Sequence, residues 1–232
     1  MMAGMSSVQV LPVLYSFRRC PYAMRARMAL WYSRNPVELR EVVLSDKPRE
    51  LIEISAKATV PVLVLPDGRV IDESVDIMKW ALSCSDPDGW LDIDQGAADA
   101  LVERNDFDFK PSLDRYKYPE RFGDRPGDRL GQLSVEVNRA RGLEYLHRLD
   151  ALCRQHPYLF GERISMIDVA VAPFVRQFAN VDIEWFESAA GDALQRWLAR
   201  FVQSELFLSV MRKYPRWSPG NDALVFGADS TS

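Results

Sequence analysis

The chain has 232 residues, 47% of them hydrophobic and 27% charged, with a formal net charge of −4. That composition suits a globular chain able to bury one large core or two modest ones. The negative balance gives no electrostatic reason to expect nucleic acid as a partner, and no apolar run approaches the ~20 residues needed to span a bilayer. Positions 1–7 hold no basic leader region, so a cytoplasmic location is expected. Three cysteines, Cys20, Cys84 and Cys153, are an odd and widely spaced set. They make a poor disulfide framework and suit a reducing compartment. His147 and His156 do not share a helical face and have no Cys-x-x-Cys beside them, so no metal site is expected.

The first stretch alternates between strand and helix patterns. Residues 12–16 are apolar and read as a strand. Residues 21–33 read as a helix, with Pro21 suited to its first turn and apolar residues recurring at helical spacing. Asn35-Pro36 breaks that pattern. Residues 37–44 alternate as a strand does, 47–55 suggest a short helix, and 61–65 a buried strand. Asp67-Gly68 marks a hairpin turn to a partner at 69–71, and 74–82 is a third helix. The order is βαβ, then ββα, which predicts an α/β domain with a mixed sheet over residues 1–84.

Residues 85–91 carry turn-forming Asp, Pro and Gly and read as a linker. Beyond it strand signals nearly vanish, so 92–232 is expected to be an all-α domain. Its expected helices lie at 95–116, 129–155, 165–178 and 190–204, with a polar loop at 117–128 and an irregular tail after Tyr214. Ser165-Met166-Ile167-Asp168 is a capping box in which both side chains satisfy helix N–H groups. Ser165 and Asp168 are therefore assigned to folding, not catalysis.

Four features of the first domain carry chemistry. Cys20 precedes a helix start and follows Arg18 and Arg19; a helix N-terminus and cationic neighbours both favour thiolate. A free cysteine is also commonly just a small buried hydrophobe. Val60-Pro61 sits before a strand, where a proline removes a ladder donor. A cis bond there would expose the Val60 backbone to a ligand, although cis is the minority state for such bonds. Asp72-Glu73-Ser74 opens the third helix. Ser74 could be an N-cap, or Ser74 and Glu73 could together hold an α-amino acid head group. Lys47 is, by itself, an ordinary surface lysine.

Taken together, Cys20-Pro21-Tyr22-Ala23, Val60-Pro61, Glu73-Ser74 and Lys47 resemble the glutathione transferase family, with a thioredoxin-like first domain. The first of these runs is similar to the omega-like, cysteine-type classes and to the glutaredoxin motif. The resemblance implies that Val60-Pro61 is the family's cis-proline site and that Glu73 and Ser74 bind the γ-glutamyl group of glutathione. It also implies that Lys47 contacts the glycyl carboxylate and that Tyr22, Val60 and Pro61 line the glutathione site. Glutathione would be the co-substrate, and a homodimer is the implied assembly.

Where a glutaredoxin-type motif has a second cysteine, this chain has Ala23. That favours a monothiol cycle in which Cys20 forms a mixed disulfide with glutathione and a second glutathione resolves it. Two rivals remain open: conjugation or isomerisation using Ser16 or Tyr15, and a non-catalytic interaction module. Tyr15 reads mainly as core. A pocket for the electrophilic or disulfide co-substrate is expected between the domains. Phe17 and Tyr22 are its candidate lining from the first domain, and Phe107, Phe109, Tyr116 and Trp217 from the second.

Overall fold

The computed structural model describes residues 10–122 and 133–227. Residues 1–7, residues 123–128 of the expected loop and the start of the helix expected from 129 lie outside the described residues. The chain forms two compact units. One comprises the residues up to Ser85 together with the chain from Val210 onward; the other runs from Asp86 to Ser209.

In the first unit the elements are β1 (Val13–Ser16), α1 (Pro21–Tyr32), β2 (Val37–Glu41), α2 (Arg49–Ile54), β3 (Val62–Val64), β4 (Val70–Ile71) and α3 (Ser74–Cys84). They appear in the order the hydrophobic pattern predicts. The sheet is mixed, with order β4-β3-β1-β2-β5, where β5 is Val225–Phe226. Central β1 runs parallel to β2, with Tyr15 opposite Arg40, and antiparallel to β3, with Leu14 opposite Leu63. Between β3 and β4, Gly68 has φ +87 and closes the turn by donating its N–H to Leu65 O at 2.9 Å. That left-handed conformation is the reason glycine is suited there. Leu14 and its partner Leu63 face one side of the sheet and, like Ala26, Met28 and Leu30 of α1, are fully buried, whereas Tyr15 faces the other side and packs with Leu51 of α2.

The last segment departs from expectation. The sequence pattern groups the irregular tail with the helical domain, but from Val210 it belongs to the first unit. Its strand β5 (Val225–Phe226) pairs antiparallel with β2, Val37 opposite Phe226. Leu39 N donates to Leu224 O and Trp217 N to Glu41 O, both at 2.8 Å. This segment satisfies backbone groups along the outer side of β2 that would otherwise form an open sheet edge.

The second unit is helical: α4 (Gln95–Arg104), α5 (Lys110–Lys117), α6 (Val135–Cys153), α7 (Met166–Ala179), α8 (Ile183–Ala189), α9 (Asp192–Gln203) and α10 (Glu205–Val210), the last ending at the unit boundary. The stretch predicted as one helix over 95–116 is interrupted by a wider π-helical turn, Asn105–Phe109. The linker predicted at 85–91 is not loose. Both Asp86 carboxylate oxygens accept backbone N–H groups, from Trp90 at 2.7 Å and Leu91 at 2.9 Å, and Trp90 is buried.

The capping box at α7 forms as predicted. Asp168 accepts from Ser165 N (3.0 Å), Ser165 Oγ (2.9 Å), Leu159 N (2.9 Å) and Trp197 Nε1 (2.8 Å). Burial pushes its carboxyl upward, and these four donors oppose that shift. One carboxylate therefore ties α7 to α9 and to the loop before it.

Candidate functional site

Cys20 is the N-cap residue of α1, with extended backbone (φ −77, ψ 122), followed by Pro21 at the first helical position. Proline is pre-organised for that position and lacks only an N–H that the helix would not have used. The first turn of α1 carries no acidic residue, so no carboxylate there offsets the positive end of the helix dipole. Cys20 N donates to Phe17 O at 3.0 Å, closing a tight turn between β1 and α1. The residue is partly exposed, which separates it from an inert buried cysteine.

The Val60-Pro61 bond is cis. Cys20 Sγ lies 3.6 Å from Val60 O. Val60 packs in a cluster with Tyr15, Val42, Leu51 and Val62, against which Phe17, Cys20 and Trp217 also pack. Two features 40 residues apart in sequence thus meet at one point.

At the start of α3 the arrangement differs in detail from the sequence reading. Ser74 is the first helical residue, and Glu73 occupies the N-cap without a capping bond from its side chain. Ser74 Oγ accepts instead from Arg25 Nε at 2.9 Å. Arg25 is almost wholly buried and stands over the Tyr22 ring, 5.0 Å from its centroid. Its N–H occupies an acceptor position of the serine hydroxyl, leaving the hydroxyl proton available to donate elsewhere. Exposed Glu73 pairs with Lys57, which also lies 3.9 Å from Asp72. Lys47 is partly exposed just before α2.

Tyr15 lies in the core as expected, and Ser16, the second hydroxyl candidate, is buried beside it in β1. Tyr15 is fully buried, its hydroxyl accepts from Arg40 Nη1 at 2.6 Å, and burial raises its pKa above the ordinary phenol value. Arg40 also lies over the Trp217 ring, 4.3 Å from its centroid. Ser16 is fully buried.

The candidate co-substrate residues are distributed over both units. Phe17 and Trp217 both belong to the first unit, where Trp217 meets Tyr15 edge-on at 6.0 Å. The sequence pattern puts Trp217 in the second domain; the return of the chain along β2 carries it to the first unit. Tyr116 and Phe109 are buried in an aromatic core around Phe178 in the second unit, with centroid separations of 5.1 and 5.4 Å. Phe107, in the π-helical turn, is 75% exposed.

Cys84 is exposed at the C-terminal end of α3, about 15 Å of helix rise from Ser74. Cys153 is on α6 in the other unit, and burial pushes its thiol up to about 12. Among the described residues no group of His, Cys, Asp and Glu is arranged to hold a metal ion, and no helix is long and apolar enough to cross a membrane.

Sequence reading overlooked Arg25, Arg27, Glu41 and Lys57. A signal was present for two of them, since Arg25 and Arg27 interrupt an otherwise apolar helix run. Their burial depends on partners from distant elements.

A mixed sheet with a cis-proline near a cysteine at a helix N-cap, followed by a helical unit, defines a thioredoxin-like domain joined to an all-α domain. Comparison with known proteins agrees. Residues 14–87 match the glutathione S-transferase N-terminal domain and residues 113–200 the corresponding C-terminal domain. The two matches together span more than half of the chain, which therefore belongs to the glutathione S-transferase family, a family of glutathione-dependent enzymes.

Glutathione S-transferase 2 of Saccharomyces cerevisiae is 25% identical over 201 residues, covering 82% of this chain and 85% of that protein. Glutaredoxin 2 of Escherichia coli is 36% identical over 67 residues, 29% of this chain and 31% of its own. The omega 3C glutathione transferase of Trametes versicolor superposes with a TM-score of 0.70 at 20% identity, over 91% of this chain and 93% of that one. A Gtt2-class enzyme of Vibrio parahaemolyticus gives 0.69 at 22% identity, over 85% and 96%. At such identities the structural likeness speaks for the fold.

Proposed function

We propose that this chain is a glutathione-dependent thiol transferase in which Cys20 is the nucleophile. The observation that carries this reading is the approach of Cys20 Sγ to the Val60 carbonyl at the head of α1. The thiol of a bound glutathione peptide would lie next to the cysteine when its cysteinyl backbone pairs with Val60. Local similarity to a glutaredoxin, confined to about 67 residues, supports the same chemistry.

The Cys20 thiolate attacks the glutathione sulfur of a mixed disulfide. A Cys20–glutathione disulfide forms, and the departing thiolate takes up a proton. A second glutathione thiolate then attacks the glutathione sulfur of that disulfide, releasing oxidised glutathione and the Cys20 thiolate. Ala23 is fully buried and has no thiol, so the intermediate awaits an external one. Glu73 accepts from the γ-glutamyl ammonium, Ser74 donates to its carboxylate, and Lys47 binds the glycyl carboxylate. Tyr22 and Pro61 complete the glutathione surface, and Phe17 and Trp217 line the co-substrate side. The working assembly is a cytoplasmic homodimer, with a small electrophilic or disulfide compound as co-substrate.

The hydroxyl-based alternative has less support, because Tyr15 OH already accepts from Arg40 and Ser16 is fully buried. Deglutathionylation of a small mixed disulfide, measured for wild type and Cys20→Ser, decides between them. Loss of turnover in the variant is expected; equal rates would overturn the assignment. Retention on immobilised glutathione tests the binding site separately, and no retention would favour a non-catalytic module.

A further inference from the structure

Beneath the turn formed by residues 17–20 lies a buried charged pair that the thiol chemistry above does not use. Arg27 is two helical turns beyond Cys20 on the same side of α1, and helical side chains lean toward the N-terminus. Its guanidinium is 0% exposed, and Nη2 donates to the carbonyl of Arg18 at 3.0 Å. The partner is Glu41, at the end of β2: Nη1 of Arg27 stands 3.6 Å from its Oε2. Oε1 of Glu41 accepts from the N–H of Arg18 at 2.6 Å. Both backbone polar groups of Arg18 are therefore held from below, one by each member of the pair. The Glu41 carbonyl in turn accepts from Trp217 N at 2.8 Å, so the returning C-terminal segment fixes the same spot.

The pair is not fully satisfied. Nε and Nη1 of Arg27 and Oε2 of Glu41 are buried without hydrogen-bond partners among the described residues. Helix α1 could bury a Leu or Met at position 27 at far lower cost. A buried guanidinium that grips the turn carrying a reactive sulfur has a use other than stability. We propose that Arg27, held against Glu41, is a positioning residue for Cys20. It locks the 17–20 turn that presents the sulfur and supplies buried positive charge that favours the thiolate. This inference rests on the reading of Cys20 as nucleophile.

The groups facing Arg27 are Glu41 on β2, Tyr214 on the C-terminal segment, and Cys20 and Arg18 on the turn. Burial lowers the guanidinium to about 10, which leaves it charged at neutral pH. Arg27 and Arg18 face Glu41, whose carboxyl burial pushes upward.

The sign of the effect separates electrostatics from mere scaffolding. Arg27→Gln removes the positive charge; Glu41→Gln removes the opposing negative charge while keeping an acceptor for Arg18 N. The readout is the rate of iodoacetamide alkylation of Cys20 as a function of pH, quantified on the Cys20 peptide by mass spectrometry. Arg27→Gln is expected to move the midpoint upward and slow alkylation at pH 6 about tenfold, as one lost charge at this depth would. Glu41→Gln is expected to move it downward, and Arg27→Lys to stay closer to wild type than Arg27→Gln does. If Arg27→Gln does not fold, Glu41→Gln and Arg27→Lys carry the test. Midpoints that move the same way in both neutral variants, or not at all, would overturn the proposal. Alkylation needs no turnover, so a failure of the transferase reading would appear separately, as activity that survives Cys20→Ser.

Discussion

Asp168 offers the sharpest test of the division between folding and catalytic residues. Its side chain is fully buried and accepts four hydrogen bonds, from Leu159 N, Ser165 N, Ser165 Oγ and Trp197 Nε1. Asp168→Asn keeps the shape but replaces one acceptor oxygen with a donor, which must then face two of those four groups. Leu159 and Trp197 are each 1% exposed, so water has no route to replace the lost acceptor. Each buried donor left unpaired costs about 1–3 kcal/mol. Relief from burying a charge offsets part of this, leaving a net loss of about 3–5 kcal/mol, the range for breaking one side of a buried charged network. That is a large share of the roughly 5–15 kcal/mol by which domains are stable. Urea unfolding followed by far-UV circular dichroism measures it. Trp197→Phe removes one donor and should cost about 1 kcal/mol in wild type, but less in the Asp168→Asn background, where its partner is already gone. Activity per folded molecule should be unchanged. A variant within about 1 kcal/mol of wild type would refute the reasoning, and one that is stable but inactive would place Asp168 in the chemistry.

Three further outcomes are expected. Gly142 lies inside α6, where alanine would ordinarily gain about 1 kcal/mol of helix propensity. A Cβ there would collide with the Phe178 ring, so Gly142→Ala should instead destabilise by about 1–3 kcal/mol in thermal melts. The Cys153 thiol titrates near 9 when unfolded and about 12 when folded. The native state therefore holds the proton that the unfolded state gives up, and stability should fall as pH rises above 9. In Cys153→Ser this part of the alkaline decline should vanish from a pH series of denaturant midpoints. Lys57 pairs with Glu73. If Glu73 receives the glutathione ammonium, Lys57→Ala should lower the KM for glutathione, with the difference shrinking at high salt; a raised KM would mean that Lys57 itself binds the ligand.

The features read correctly from sequence are those governed by neighbours. Helix α1 begins at Cys20-Pro21 because proline suits a first turn, and Asp67-Gly68 turns the β3–β4 hairpin because glycine tolerates φ +87. Ser165 and Asp168 are three residues apart, so their capping box is a local pattern as well. Misplaced features depend on distant partners. Ser74 reads as an N-cap, but Arg25 claims its hydroxyl from another helix. Trp217 sits in a tail without periodicity, and β5 has only two residues, too few to show a strand pattern.

For Cys20, the sequence by itself determined the residue type, the helix start behind it and the missing second cysteine at Ala23. Each is written in consecutive positions and follows from local backbone chemistry. Only the tertiary structure decided what surrounds the sulfur: Val60 O at 3.6 Å, and the Arg27–Glu41 pair beneath the turn. Burying a cation among Ala and Met side chains is unfavourable unless a carboxylate meets it. That carboxylate comes from β2, and only the folding of the sheet onto α1 brings it there.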